Sequence, residues 1–372
     1  MLAELERHPH ARAVLAPALG ADGRASHAYL FHGPGGAGKR AAARALAAEL
    51  LSEGSADPSG ARARVMSGAH PDLTWVVPSG AHEILVADID EPVIAAASKT
   101  PFEASRRVFV IERADELGDE AANRMLKTLE EPAPFVHIIL LTDRLPEILP
   151  TIRSRCQAVR FEAPSEEQAA AEVEAMGVSS ETARACVRLA LQDADRAHEL
   201  ASPDGQALRS AAEAYARAAL AERMSQVRPW TDLLAAARAR ADTAGAELEA
   251  LQAAELELTA RKDRKRVETE WTERIRRTRR RVSTGALDLG LQLVALWFAD
   301  LAFIGYDAPD LVRNCDRQAE LAEDAGRPAR GAARLRAAVE LVEDTRERFV
   351  LNVSEDLACE ALAYRLERTL VA

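Results

Sequence analysis

The stretch AYLFHGPGGAGKR, residues 28–40, decides the fold of this chain. It opens with a short apolar strand, passes through a glycine-rich turn from Gly33 to Gly38, and enters an alanine-rich segment with helical spacing. This is the context of a phosphate-binding loop, because backbone N–H groups and a helix N-terminus there favour an anion. Lys39 would reach the outer phosphates of a nucleotide. Two interpretations stay open: the loop binds ATP or ADP, or it is only a turn.

The residues around this stretch predict an α/β domain. Two more apolar runs, residues 108–111 and 136–141, read as buried strands. Between them, residues 119–130 read as a helix that Pro132 stops. Strands that alternate with helices predict a parallel sheet with crossover helices over residues 1–164.

The pattern becomes entirely helical after Pro164. Residues 165–176 and 180–201 read as two helices split by Gly177. We expect a small helical lid domain at residues 165–207.

Residues 208–372 predict a third, all-helical domain with a long charged helix at residues 231–282, and with breaks near Pro229 and at residues 283–285. Within the charged helix, residues 261–281 carry eleven Lys and Arg against four Asp and Glu. One interpretation is that this basic segment contacts DNA phosphates. The other is a solvated helical hairpin in which acidic residues offset the basic ones.

Two substitutions remove parts of the magnesium chemistry that a nucleotide-hydrolysing loop needs. Arg40 ends the loop where a Ser or Thr hydroxyl would hold Mg²⁺, and arginine has no acceptor for a metal. Glu112 follows the second strand in the place of the acid that organises Mg²⁺. Arg113 stands where a glutamate would polarise the attacking water, and an arginine cannot act as a general base. We therefore expect no hydrolysis by this chain.

An arginine after the third strand points to a different role. The triplet Ser154-Arg155-Cys156 comes after a strand that we expect to end at Thr142, itself a candidate nucleotide contact. Arg155 in this position can project across a subunit boundary to the γ-phosphate of a neighbour's ATP. Its planar guanidinium group can donate two parallel hydrogen bonds to a phosphate. The alternative is that Arg155 pairs with a local carboxylate.

Composition limits the remaining classes of function. The 372 residues carry a formal net charge of -11, so the chain does not bind nucleic acid by bulk attraction. The cysteines are far apart and form no CxxC pair, which argues against a zinc module or a disulfide framework. No apolar run approaches the ~20 residues that span a bilayer. We expect a soluble cytoplasmic protein that does not contact a membrane.

In their order along the chain, these motifs resemble the delta prime subunit family of the bacterial DNA polymerase III clamp loader, a branch of the AAA+ proteins. The resemblance covers about residues 26–160. Its segments are SHAYLF (26–31), the loop at 33–39, HPDL (70–73), LKTLEEP (126–132) and SRC (154–156).

The resemblance implies an α/β plus all-α fold: an AAA+ RecA-like P-loop domain, a helical lid and a helical collar. It implies a ring in which Arg155 serves the adjacent tau or gamma motor subunit, with the delta subunit, the sliding clamp (beta) and primed DNA as further partners.

Arg196 lies where the motor subunits carry a nucleotide-sensing arginine; the alternative is a solvated arginine on a helix face. Family members commonly bind zinc through four cysteines, but residues 51–69 contain none. We expect no zinc, and a loop in place of that module.

Three functions follow from these residues. The first is a non-hydrolysing subunit that presents Arg155 to a neighbour. The second is an active clamp-loader ATPase, against which Arg40 and Arg113 speak. The third is another AAA+ protein such as a helicase loader, against which the segments at 126–132 and 154–156 speak.

Overall fold

The computed structural model describes residues 5–18, 25–78, 83–258, 261, 264–326, 331–351 and 353–371. Its contacts divide the chain into two compact units. The first is Met1–Pro164 with Gln192–Ala194, and the second is Ser165–Leu191 with Asp195–Ala372. The expected fold class, α/β plus all-α, is confirmed. The division into three domains stays a prediction.

A parallel five-stranded sheet forms the first unit, with strand order β2-β3-β4-β1-β5. All seven residues of β4 are buried, as expected for a parallel strand covered on both faces. The strands are β1 (Ala28–His32), β2 (Leu73–Val76), β3 (Arg107–Ile111), β4 (Val136–Thr142) and β5 (Gln157–Arg160).

Helices cover both faces of this sheet. Because side chains alternate along a strand, Phe31 of β1 packs into one apolar core and Leu30 into the other. The helices are α1 (Pro9–Ala18), α2 (Lys39–Ser52), α3 (Pro58–Ser67), α4 (Val86–Ile89), α5 (Asp119–Glu130) and α6 (Pro150–Arg153). A π-helical turn (Asp90–Ala95) and two 3-10 turns (Ala114–Glu116 and Leu145–Glu147) complete this unit. The three predicted strands and the helix at 119–130 are confirmed.

The expected loop within residues 51–69 was wrong, because that segment contains α3. The Asp57 carboxylate caps the helix by accepting the N–H of Gly60 at 2.9 Å. Pro58 occupies the first turn, and Gly68 ends the helix in the left-handed region at φ 76°. Asp57, Pro58 and Gly68 are therefore the start and stop signals of a short helix.

The second unit is entirely helical among its described residues and has one extended apolar core, in which Trp297, Phe298 and Tyr215 are the largest buried side chains. Its helices are α7 (Glu166–Glu174), α8 (Ser180–Leu189), α9 (Ala194–Ala201), α10 (Pro203–Leu220), α11 (Met224–Val227), α12 (Trp230–Leu258), α13 (Arg264–Gly305), α14 (Gln318–Ala325), α15 (Ala332–Glu347) and α16 (Glu355–Val371), with 3-10 turns at Pro309–Leu311 and Arg348–Leu351.

Two expectations for the helical part need correction. The helix expected at 180–201 is two helices, because Leu191 and Gln192 adopt left-handed backbone at φ 52° and 71°. The charged segment at 231–282 forms two helices, α12 and α13, as in the hairpin interpretation. The break expected at 283–285 is absent, since α13 runs through it. There the hydroxyl of the buried Thr284 donates to Glu355 Oε1 at 2.6 Å.

By length and composition, α13 is the one described helix that could cross a bilayer. Its most apolar 18-residue window has a mean hydropathy of 1.7, and 61% of that window is buried inside the protein. A core helix passes the same test, so this helix is weak evidence for a membrane span.

Candidate functional site

The glycine-rich turn between β1 and α2 has the backbone that its glycines permit. Gly33, Gly36 and Gly38 have φ of 146°, 68° and 81°, a region that residues with a Cβ rarely adopt. A Cβ on Gly33 would also collide with the backbone carbonyl oxygen of Phe161. Glycine at position 33 is therefore required by conformation and by space.

Lys39 turns its amino group back into the loop. The side chain is buried, and Nζ donates to Gly33 O at 2.6 Å and to Pro34 O at 2.5 Å. Nζ also lies 2.7 Å from Asp143 Oδ1, next to the C-terminal end of β4. Sequence reasoning missed Asp143, although its place directly after Thr142 at a strand end was a usable signal.

Arg40 binds directly to Glu112. Arg40 Nε donates to Glu112 Oε2 at 2.9 Å, and Nη2 lies 2.7 Å from the same oxygen. The other carboxylate oxygen, Oε1, accepts the indole N–H of Trp75 at 2.7 Å. In a hydrolysing phosphate-loop site, Mg²⁺ is held by the loop hydroxyl and by the acid at the strand end. Here those two positions carry Arg40 and Glu112, which form an ion pair with each other.

Arg113 is fixed in another direction. Its backbone is left-handed at φ 51°, and its guanidinium pairs with the carboxylate of Glu116, whose side chain is only 5% exposed. The side chain at this position is a guanidinium, which cannot accept a proton from water.

Thr142 belongs to a polar network at the end of β4. Its hydroxyl donates to Asp115 Oδ1 at 2.7 Å and accepts the backbone N–H of Arg144 at 3.0 Å. Arg144 Nε closes the network on Asp115 Oδ2 at 3.0 Å. These bonds fix the orientation of the threonine hydroxyl.

Arg155 follows α6 and pairs locally in the single chain. Its Nη2 contacts the Glu130 carboxylate at the end of α5, and its Nη1 donates to Thr151 O at 2.7 Å. The side chain keeps 33% of its surface exposed. The local-carboxylate alternative therefore describes the lone chain, whereas the role in a neighbour's site stays a prediction. Burial raises the pKa of the adjacent Cys156 thiol to about 12.

Arg196 belongs to the second unit. Its Nη1 donates to Gln292 Oε1 of α13 at 2.9 Å, so it is not simply a solvated arginine. Its role as a nucleotide sensor stays a prediction.

Two residues next to the loop were missed by sequence reasoning. His8 is buried, and a Cβ on Gly38 would stand 3.4 Å from its Nε2. Burial, followed by the charge of Arg7, lowers the pKa of His8 below 6.5. Asp193 places its carboxyl group against Gly35. The sequence did not predict that either residue contacts the loop, because both reach it from other parts of the chain.

Among the described residues, no group of three or more His, Cys, Asp or Glu side chains is arranged to hold a metal ion. The expected absence of zinc stays a prediction.

Comparisons with known proteins agree with the resemblance over the first unit. Residues 8–165 match the family model described as DNA polymerase III, delta subunit. The delta prime subunit of Bacillus subtilis is 41% identical over 143 residues, which cover 37% of this chain and 43% of that protein. The delta prime subunit of Pseudomonas aeruginosa is 34% identical over 37% of this chain and 44% of its own length. The matched part thus spans less than half the length of these curated relatives.

Gamma/tau subunits and solved structures also match. The gamma/tau subunit of Mycobacterium tuberculosis is 36% identical over 163 residues, 43% of this chain and 28% of that protein. A gamma subunit-related protein of Thermotoga maritima covers 92% of this chain and 94% of its own chain at 15% identity, with a TM-score of 0.42. The family model and the delta prime relatives confirm the resemblance. Residues 8–165 of this chain are therefore similar to the DNA polymerase III delta subunit family, and the similarity covers less than half of the chain.

Proposed function

We propose that this chain is the delta prime subunit of a bacterial DNA polymerase III clamp loader. In this proposal it is a cytoplasmic AAA+ subunit that does not hydrolyse ATP and lends Arg155 to the ATP site of an adjacent tau or gamma subunit. With the delta subunit and the sliding clamp (beta), it takes part in loading the clamp onto primed DNA.

The ion pair between Arg40 and Glu112 carries the non-hydrolysing part of the proposal. A magnesium ion between these positions would have to displace a guanidinium from a carboxylate whose side chain is only 10% exposed. Arginine supplies no oxygen ligand in exchange. ATP or ADP bound at this loop would therefore lack the metal that phosphoryl transfer uses.

The contacts of Arg155 support its proposed role at the ATP site of an adjacent subunit. Its pair with Glu130 joins two half-exposed side chains, and such surface pairs contribute only about 0–1 kcal/mol. The guanidinium can therefore exchange Glu130 for a phosphate at small cost. Its forked donors match a γ-phosphate, and a trans-acting arginine of this kind is worth ~10³–10⁵ in rate.

An ATP-hydrolysing motor subunit is the second candidate function, and the identity to gamma/tau subunits favours it. The two candidates differ in turnover by the isolated chain. The motor subunit predicts ATP turnover that disappears in Lys39→Ala, whereas the proposed function predicts only background turnover.

The direct test is a loader reconstituted from this chain with tau or gamma, delta and clamp. In Arg155→Ala we expect assembly to persist and clamp-stimulated ATPase to fall, by up to ~10³-fold at the site that uses the arginine. Arg155→Lys should be nearly as inactive, because lysine lacks the fork. Arg153→Ala, an exposed arginine two residues away, is the matched control and should retain turnover. Wild-type ATPase in Arg155→Ala would contradict the proposal.

A further inference from the structure

An unusual turn brings Asp193 to the phosphate loop. Leu191 and Gln192 both have left-handed backbone, at φ 52° and 71°, although neither is a glycine. Two consecutive residues of this kind are uncommon, because the Cβ crowds the following carbonyl. Such a conformation persists only where surrounding contacts hold it, and it is frequent at functional positions.

The contacts that hold the turn lie on the loop itself. The backbone N–H of Ala194 donates to Gly35 O at 3.1 Å. The carboxyl group of Asp193 stands where a Cβ on Gly35 would be. Gly35 is not among the glycines with positive φ, so its missing side chain is needed for the space that Asp193 fills.

The charge of this side chain is the important feature. A glycine-rich turn before a helix stabilises an anion through its N–H groups and the helix dipole. A carboxylate is such an anion, and it would repel the phosphates of a nucleotide entering the same loop. We infer that Asp193 is an intramolecular ligand of the phosphate loop, so that ATP must displace the chain's own carboxylate in order to bind.

This inference goes beyond the proposed function, since it concerns what the loop of this chain holds and does not depend on Arg155. Its test uses the isolated full chain, whereas the test of Arg155 uses a partner's turnover. The two can therefore fail separately.

The experiment measures the Kd of ATP by calorimetry without Mg²⁺, with inorganic tripolyphosphate as a second probe that has no base. Asp193→Asn keeps the shape and removes the charge, and we expect both probes to bind at least about tenfold more tightly, a 1.4 kcal/mol change. Asp193→Glu keeps the charge and should stay close to wild type. Asp195→Asn removes the same charge from an exposed position two residues away and should change the Kd less than about twofold.

A Kd for Asp193→Asn within about twofold of wild type would overturn the inference, as would weaker binding or undetectable binding by both proteins at millimolar ATP. Asp193→Ser serves as a second uncharged variant if Asp193→Asn lowers the melting temperature, and tighter binding is expected there too.

Discussion

Arg155 and Glu130 form an ion pair in the single chain, between the turn after α6 and the last residue of α5. Thr151 O accepts a second hydrogen bond from the same guanidinium at 2.7 Å. The arginine is therefore already oriented before any partner subunit is present, and its orientation depends on one exposed carboxylate and one backbone carbonyl.

The first prediction concerns that carboxylate. Because the side chains are 33% and 47% exposed, we expect Glu130→Gln to lower the free energy of unfolding by less than about 1 kcal/mol. ATPase of the reconstituted loader should stay within about threefold of wild type, since the carbonyl of Thr151 still orients the guanidinium. Urea denaturation and steady-state turnover check the two parts. A loss of turnover as large as that of Arg155→Ala would show that Glu130 itself is needed for the reaction.

The second prediction concerns the pair in the magnesium position. Arg40→Thr restores a hydroxyl to the loop and leaves Glu112 with only the indole N–H of Trp75 as a donor. Because a mostly buried carboxylate loses a charged partner, we expect a loss of about 1–3 kcal/mol in the free energy of unfolding. We also expect Mg²⁺ to tighten ATP binding in this variant and not in wild type, measured as Kd with and without the metal.

Hydrolysis should remain at background in Arg40→Thr, because Arg113 still stands where a base is needed. Arg62→Thr, which removes the exposed pair with Glu49, is the matched control and should change neither the stability nor the metal dependence by a measurable amount. Tighter ATP binding on addition of Mg²⁺ to the wild-type chain would contradict the prediction.

The loop, the strands β1, β3 and β4 and the two altered positions could be predicted from the sequence, because each depends on residues that are close together in it. The partners that these residues contact could not be predicted from the sequence. Glu112 contacts Arg40 across 72 positions of sequence because β3 ends, and α2 begins, at the same edge of the sheet. Glu130 meets Arg155 through the packing of α5 on α6, 25 positions apart. The position of Asp193 depends on the left-handed backbone of Leu191 and Gln192. Because neither residue is a glycine, the sequence does not indicate this conformation.

In the helical unit, local propensity predicted a break in a helix that tertiary packing keeps continuous. The break expected at 283–285 rested on the weak helix propensity of serine, threonine and glycine. Packing overrides it, because Thr284 is buried and bonded to Glu355, and the continuous α13 supplies Trp297 and Phe298 to the core. Local propensity amounts to less than about 1 kcal/mol per residue, whereas burial of one large side chain contributes about 1.5–3 kcal/mol.

The third prediction concerns Asp72, which is fully buried and accepts backbone N–H groups from Phe102, Glu103 and Ala104 at 2.6, 2.9 and 2.9 Å. Burial by itself would raise the pKa of Asp72, but the three donors, with Arg107, hold it below 3.8. The ionised form is therefore favoured in the folded chain, and its stabilisation is present above the unfolded pKa and lost as the pH falls through the folded pKa.

We expect Asp72→Asn to lower the free energy of unfolding at pH 7 by about 2–3 kcal/mol, because its amide group cannot accept all three bonds. The difference from wild type should shrink as the pH falls below about 4. Urea denaturation from pH 7 to pH 3 checks both statements. Asp310→Asn, at an exposed position, is the control and should show no such pH dependence. A difference that stays constant down to pH 3 would mean that the charge of Asp72 contributes nothing.

The fourth prediction concerns the basic segment of α13, which packs against α12 through a small apolar cluster of Val267, Trp271 and Ile275. Arg279 belongs to this hairpin, since its Nη2 donates to Glu249 Oε1 at 2.9 Å and its guanidinium covers Gly245. Such contacts favour the interpretation as a solvated helical hairpin, with arginines engaged by the acidic helix beside them.

We therefore expect neutralisation of three exposed arginines, Arg276, Arg277 and Arg280, to leave the salt dependence of loader–DNA binding unchanged. Each lost phosphate contact would reduce the slope of log K against log salt by ~0.9, so three lost contacts would reduce it by about 2.7. Arg279→Ala should instead lower the melting temperature, because it removes a contact between the two helices. A reduction of the slope by two or more in the triple variant, with its melting temperature intact, would establish that DNA phosphates contact this helix.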